Sequence, residues 1–301
     1  MFVLKIRFAR YLGILRRIYI MSKKTKWLIG GAAVIVIAGA AYASFGQHSK
    51  TSSKTVTIGI MSGSKQDQAI WNTVKKTAKD KYGITIKFKE FTDYSQPNKA
   101  LAAGDIDLNA FQHYAFLKAS NKATGNKIVS IGDTVISPIR LYSKTYTKVS
   151  QFKSGDTIAV PNDPSNESRS LYVLKSAGLI DLKNGLTTAT VKDITKNPKN
   201  LKIKELAADQ TARTLSDIQG AVINGTYADS AKLDYKKAIF VEPINKNSHQ
   251  WVNIIAANSK DKDNKTYKQV VKAYQTDAVK KAINKQYDGV ELPAWDKDFS
   301  K

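Results

Sequence analysis

Hydrophobic and polar positions change period several times along the chain. Thr55–Ile60 alternates and is rich in β-branched residues, which predicts a strand. Gln66–Tyr82 then places Ile70, Val74 and Ala78 at helical spacing. Thr85–Phe91 alternates again, Pro97–Ala103 reads as a short helix stopped by Gly104, Ile106–Phe111 as a third strand and His113–Asn121 as another helix. Strands and helices alternating in this order predict a largely parallel, doubly wound sheet. Lys127–Tyr142 is a long extended stretch broken by Pro138, the pattern of a strand that leaves one lobe and enters a second. Asp156–Val160 is the next strand, ended by Pro161 and Pro164. Ser165 or Asn166 is placed to cap a helix with Leu171, Leu174 and Leu179 on its apolar face and Gly178 near its end. Lys202–Leu206 and Gly220–Ile223 read as strands around a helix near Gln210–Ser216. Ile239–Pro243 and Val252–Ala256 return the chain, and Tyr267–Ile283 reads as one closing helix.

This order predicts an α/β fold of two lobes joined by extended crossovers, with a cleft at the hinge. Lobe one is expected over 55–138 plus 244–301 and lobe two over 139–243. Ligands in such sheets sit beyond the carboxyl ends of the strands. Tyr94 follows the second strand; Phe111 and His113 end the third; Arg169 and Asn224 follow strands of the other lobe; Trp251 and Asn253 flank the return crossover. Gly155–Leu179 is the most telling stretch, a strand and an Asn/Asp/Pro/Ser turn leading into a helix that starts with an arginine, Arg169. A guanidinium above a helix N-terminus suits a small carboxylate. The other reading of Arg169 is an interlobe salt bridge.

The N-terminus changes the picture of where the domain works. Residues 1–26 hold eight Lys/Arg and no acid, and Trp27–Phe45 is 19 residues without a charge. That is a signal peptide or a membrane-anchor helix with its basic end in the cytoplasm. Ala41-Tyr42-Ala43 resembles a cleavage site, the length of the run favours an anchor, and Met21 is a possible true start. Residues 46–54 read as a polar linker. The +23 net charge falls to +15 once the eight N-terminal positives are set aside, 40 basic against 25 acidic residues. The lysines are scattered and no aromatic–basic RNA motif appears, so the excess reads as a solvated surface near an anionic envelope, not as a nucleic-acid footprint.

Covalent chemistry finds little support. There is no cysteine, which excludes disulfides and thiolate catalysis. No P-loop, HExxH, GxSxG or GxGxxG motif occurs. His113 has no second metal ligand at helical spacing and is expected as a hydrogen-bonding wall, with no metal and no cofactor. Asn224 and Asn253 each carry a donor and an acceptor and can serve an ammonium or a carboxylate. Arg140 beside Pro138 either faces the cleft or points to solvent.

The stretches FTDYSQPN (Phe91–Asn98), NAFQH (Asn109–His113), PNDPSNESR, NPKNLKIKEL (Asn197–Leu206), AVINGTYA (Ala221–Ala228) and WVN at Trp251, in this order, resemble the NlpA/MetQ-type substrate-binding proteins of methionine ABC importers. The resemblance runs from about Val56 to Pro293. It implies a periplasmic-binding-protein fold of the type with two crossovers, and a non-enzymatic, monomeric binding protein for L-methionine or a related amino acid or dipeptide, partnered by an importer permease on the extracytoplasmic face of the membrane. Carried over by position, the ligand contacts are Tyr94, His113, Arg169, Asn224 and Asn253, with Phe111, Phe116 and Trp251 adding apolar wall. Phe116 stands where the family usually has Tyr, Ser62–Asp67 departs from the usual pattern, and the lipobox cysteine is missing, so Trp27–Phe45 is expected to replace the lipid anchor. An exported surface-interaction protein on the same fold is the alternative.

Overall fold

The computed structural model describes residues 55–62 and 65–299. The basic N-terminal segment, Trp27–Phe45 and the linker lie outside the described residues. Among the described residues no helix is long and apolar enough to cross a membrane.

Among the described residues, thirteen strands form two principal sheets and a small ribbon, accompanied by eight α-helices. In chain order they are β1 Thr55–Met61, α1 Lys65–Tyr82, β2 Thr85–Phe91, α2 Pro97–Ala103, β3 Leu108–His113, α3 Tyr114–Thr124, β4 Ile128–Ile136, β5 Arg140–Tyr142, β6 Thr157–Pro161, α4 Pro164–Ser176, β7 Asp181–Leu182, β8 Ile194–Lys196, β9 Lys202–Leu206, α5 Ala208–Thr211, β10 Gly220–Ile223, α6 Gly225–Ser230, β11 Phe240–Val241, β12 Val252–Asn258, α7 Lys265–Tyr274, α8 Asp277–Tyr287 and β13 Leu292–Pro293. The first sheet has the order β13-β4-β12-β3-β1-β2, the second β11-β5-β10-β6-β9, and β7 pairs with β8.

The parallel order expected from the sequence holds for β2-β1-β3 and for β10-β6-β9. Antiparallel strands complete both sheets: β12 and β13 in the first, β5 and β11 in the second. Val56 and Ile58 of β1 are buried with Trp71 and Val74 of α1 and Val270 of α7. Leu141, Ile158, Leu171, Leu174 and Val222 form the second core. Each fully buried side chain of this kind contributes about 1.5–3 kcal/mol over its exposed state. Gly59 marks a close approach, since a Cβ there would stand 2.6 Å from Ile106 Cδ1.

The first crossover is where Pro138 predicts it. β4 ends at Ile136, Ser137-Pro138-Ile139 passes between the sheets, and β5 starts at Arg140. β11 lies antiparallel beside β5, and Glu242 N donates to Ile139 O at 3.0 Å, so the outgoing and returning chains run side by side. Tyr267–Ile283 is not one helix. Thr276 is extended and its side chain accepts from Val279 N at 3.3 Å, capping α8 afresh. A threonine that offers its oxygen to the backbone competes with the helix ladder, and here it wins.

Beneath the end of β3 lies a buried amide network. Asn98 Nδ2 donates to Gln112 Oε1 at 2.8 Å and to Ser120 Oγ at 3.0 Å, while Asn109 Nδ2 and Gln112 Nε2 donate to Asn98 Oδ1 at 2.9 and 2.7 Å. It anchors the strand that presents Phe111 and His113. Asn98→Ala leaves Gln112 Nε2 its bond to Asn109 Oδ1 at 3.0 Å but removes the partner of Asn109 Nδ2 and of Gln112 Oε1, at roughly 1–3 kcal/mol for each group left unsatisfied. Urea denaturation is expected to show a clearly lower midpoint with an unchanged slope; an unmoved midpoint contradicts the network's role.

Candidate ligand-binding site

The cap of α4 sets the polar half of the site. Neither Ser165 nor Asn166 is the capping residue; Asp163 is, with Pro164 filling the first helical position. The carboxylate of Asp163 accepts from Asn166 N at 3.0 Å, Ser165 Oγ at 2.8 Å and Asn166 Nδ2 at 2.9 and 3.0 Å. This turns Asn166 Oδ1 the other way, where it accepts from Asn224 Nδ2 at 2.9 Å and meets His113 Nε2 at 3.2 Å. Phe116 N donates to His113 Nδ1 at 3.1 Å, so the imidazole hydrogen is on Nε2 and both ring nitrogens are engaged. Burial, reinforced by the Arg169 guanidinium, lowers the His113 pKa to about 3. His113 is thus a neutral, hydrogen-bonded wall, and among the described residues no cluster of His, Asp or Glu could hold a metal ion.

Arg169 is the sixth residue of α4, not its first, and only 3% of it is exposed. It therefore does not stand over the helix N-terminus, which is filled by the Asp163 and Asn166 side chains. Its Nε donates to Glu242 Oε1 at 2.8 Å and its Nη2 to Glu242 Oε2 at 2.5 Å and to Ser137 O at 3.0 Å. The bidentate edge is thus occupied by an internal carboxylate. Nη1 is the guanidinium nitrogen with no hydrogen bond to the described residues, and Arg169 lines the cavity. Of the two sequence readings, the salt bridge is present, and the cavity face is present as well.

The cavity encloses about 40 Å³, or about 440 Å³ when the open space at its mouth is counted. Tyr94, Phe111, His113, Phe116, Arg169, Asn224 and Asn253 all line it. Asn253 comes opposite His113 because β12 pairs with β3 in that register, and cross-strand partners share a face. Phe111 and Phe116 are 5.7 Å apart, and each lies 5.9 Å from Tyr94, whose ring also packs on Tyr227 at 4.8 Å. Trp251 is not part of the lining. It stands behind it, 4.8 Å from the Arg169 guanidinium and 5.1 Å from the His113 ring. Arg140 faces neither cleft nor solvent: it is buried, donating to Pro138 O at 2.6 Å and Val290 O at 3.2 Å.

Sequence reasoning misses Asn166, Ser137, Gly225 and Glu291, which also line the cavity, and Glu242, which holds Arg169. The sequence offers Asn166 only as a candidate helix cap. Glu242 and Glu291 carry no local signal at all.

The direction of the hydrogen bonds settles what Asn224 offers. A carboxylate at Asp163 only accepts, so Asn166 must donate to it and present its oxygen onward. Asn224 must then donate as well, which leaves its own Oδ1 buried with no partner. The free end of Asn224 is an acceptor, not the ambidextrous group its residue type allows.

Two α/β lobes meeting over a small cavity, with unspent polar groups and an aromatic slot, define a bilobed solute-binding protein and not an enzyme. The chain belongs to the NlpA lipoprotein family, whose model matches residues 56–295. The D-methionine-binding lipoprotein MetQ of Escherichia coli O157:H7 is 44% identical over 244 residues, 80% of this chain and 88% of that protein. The substrate-binding protein of a methionine transporter from Streptococcus pneumoniae superposes with a TM-score of 0.77 at 50% identity, covering 80% of this chain and 96% of that one. A nutrient-binding protein from Burkholderia cenocepacia bound to methionine gives 0.75 at 45%, covering 79% and 99%.

The depressed pKa of His113 has a measurable consequence. The unfolded chain takes up a proton near pH 6.5 and the folded site does not until about pH 3, so the stability held by neutral His113 is complete above pH 6.5 and drains away as the pH falls between those values. Between pH 6.5 and 5 the loss is roughly 2 kcal/mol. Urea titrations at the two pH values are expected to differ by about that much more in wild type than in His113→Gln; equal losses contradict a buried neutral imidazole.

Proposed function

We propose that the chain captures L-methionine, or a closely related small amino acid or dipeptide, between its lobes and hands it to the permease of an ABC importer. The observation that carries this reading is the division of the cavity. At one end Arg169 Nη1, Asn224 Oδ1 and the Asn253 amide make no hydrogen bond to the described residues. At the other, Tyr94, Phe111 and Phe116 form an apolar slot, and a thioether gains roughly 0.3–1.5 kcal/mol from each aromatic contact. A zwitterion with a greasy tail satisfies both ends at once. The methionine-bound Burkholderia relative supports the ligand class. Unspent polar groups inside a formed cavity favour solute capture over an envelope-interaction role. The protein is proposed to work as a monomer on the extracytoplasmic face, held there by Trp27–Phe45 in place of the missing lipid-bearing cysteine.

Calorimetric titration of the purified protein with L-methionine is expected to show one site. Saturation at a hundredfold excess over Kd is expected to stabilise the fold by about 2.7 kcal/mol. No heat and no thermal shift with methionine, other amino acids or dipeptides contradicts the proposal. The informative variants are not equivalent. Arg169→Ala leaves the Glu242 carboxylate buried and unpaired, at about 3–5 kcal/mol, so it loses stability and binding together. Asn253→Ala breaks no hydrogen bond among the described residues. It is expected to keep the melting temperature and weaken methionine binding by roughly 10- to 100-fold, the worth of one hydrogen bond to a charged group. Unchanged affinity removes Asn253 from the site.

A further inference from the structure

Two glutamates stand beside the cavity, and only one is paired. Glu242 is locked to Arg169 at 2.5 Å. Glu291, which immediately precedes β13, lines the cavity with 9% of its surface exposed and has no cation within ion-pair distance among the described residues. The closest candidate for a counter-charge, Arg140, spends its guanidinium on the carbonyls of Pro138 and Val290. Burial, with the Asp67 carboxylate adding to it, pushes the Glu291 pKa up to about 8. The Ser137 hydroxyl beside it acts the other way, but a buried acid with no cation partner is costly to keep.

What surrounds it points to a ligand. Gly225 follows Asn224 directly, and a Cβ on it would stand 2.6 Å from Ser137 Oγ and 3.5 Å from Glu291 Oε1. The absent side chain lets lobe two close onto that corner. Asn224 is 94% buried by the same measure, 6% exposed, and its Oδ1 is the acceptor left without a partner. The lining therefore includes a carboxyl group with a hydroxyl near it and an amide oxygen that has no partner. It also includes the Arg169 guanidinium, whose Nη1 makes no hydrogen bond to the described residues.

We propose that Glu291 gives up its proton to solvent as the ligand's ammonium group arrives and becomes its counter-charge, acting with Asn224 Oδ1 while Arg169 Nη1 takes the carboxylate, so that the site selects zwitterions over plain carboxylates. The inference rests on the methionine reading of the cavity. Specificity of this kind is strong because a ligand without the ammonium leaves buried acceptors unpaired.

The test is calorimetry on wild type, E291Q and Glu291→Met with two ligands: L-methionine and its desamino analogue methylthiobutanoate, which keeps the carboxylate and thioether. Both variants are expected to bind methionine at least tenfold more weakly than wild type and to bind the analogue at least as well as wild type does. Their unliganded urea midpoints are expected to be equal to or above the wild-type value, because an unpaired buried acid has been removed; a merely structural glutamate gives lower midpoints. Methionine affinity within twofold of wild type in E291Q overturns the proposal, and so does an equal loss for both ligands. Either outcome leaves wild-type methionine binding standing. A wild type that binds no methionine overturns the reading beneath it and this proposal together.

Discussion

The Arg169 guanidinium is buried where the chain crosses between the lobes, and much of the site is arranged around it. Arg169 comes from lobe two, and its partner Glu242 lies just past β11 on the returning chain. Glu242 also accepts from Ile139 N through its side chain at 3.1 Å, and its own N donates to Ile139 O. Ser137 O on the outgoing chain takes a second Arg169 hydrogen bond, and Trp251 covers the guanidinium face. One ion pair thus ties both crossovers to the binding helix. The same pair fixes which guanidinium edge is spent and which nitrogen is left for a ligand.

A second constraint is purely directional. The Asp163 carboxylate cannot donate, so each amide after it is forced to point its nitrogen back and its oxygen forward. The chain runs Asp163, Asn166, then His113 and Asn224, joining the lobes through His113. It engages both nitrogens of the buried imidazole and leaves the Asn224 oxygen without a partner. Pairing His113 against Asn253 in the β3–β12 register then places a further amide beside it.

The elements with strong local signals were legible in the sequence. β1, β2, β6 and β9 follow alternating runs, and Pro138 marks the first crossover because a residue without an N–H cannot continue a sheet ladder. Seven of the eight candidate side chains line one cavity, and the eighth, Trp251, backs it. What was not legible depends on distance or on competition. Asp163 outcompetes Ser165 and Asn166 for the cap because its carboxylate reaches three donors at once. Thr276 splits the last helix although the apolar spacing runs straight through it. Arg169 and Glu242 are 73 residues apart, and Glu291 reaches the cavity only through the pairing of β13 with β4; neither carboxylate has a neighbour in sequence that announces it. Residues whose role is set by a long-range charge partner are the ones a local pattern cannot show.

The account stands or falls on where a bound amino acid places its two charges. A crystal structure of the protein with L-methionine measures this directly. The account predicts one molecule between the lobes, its carboxylate on Arg169 Nη1 with the Glu242 pair intact, its ammonium beside Asn224 Oδ1, and its thioether among Tyr94, Phe111 and Phe116. Methionine bound elsewhere, or in this cavity with its head and tail reversed, contradicts it.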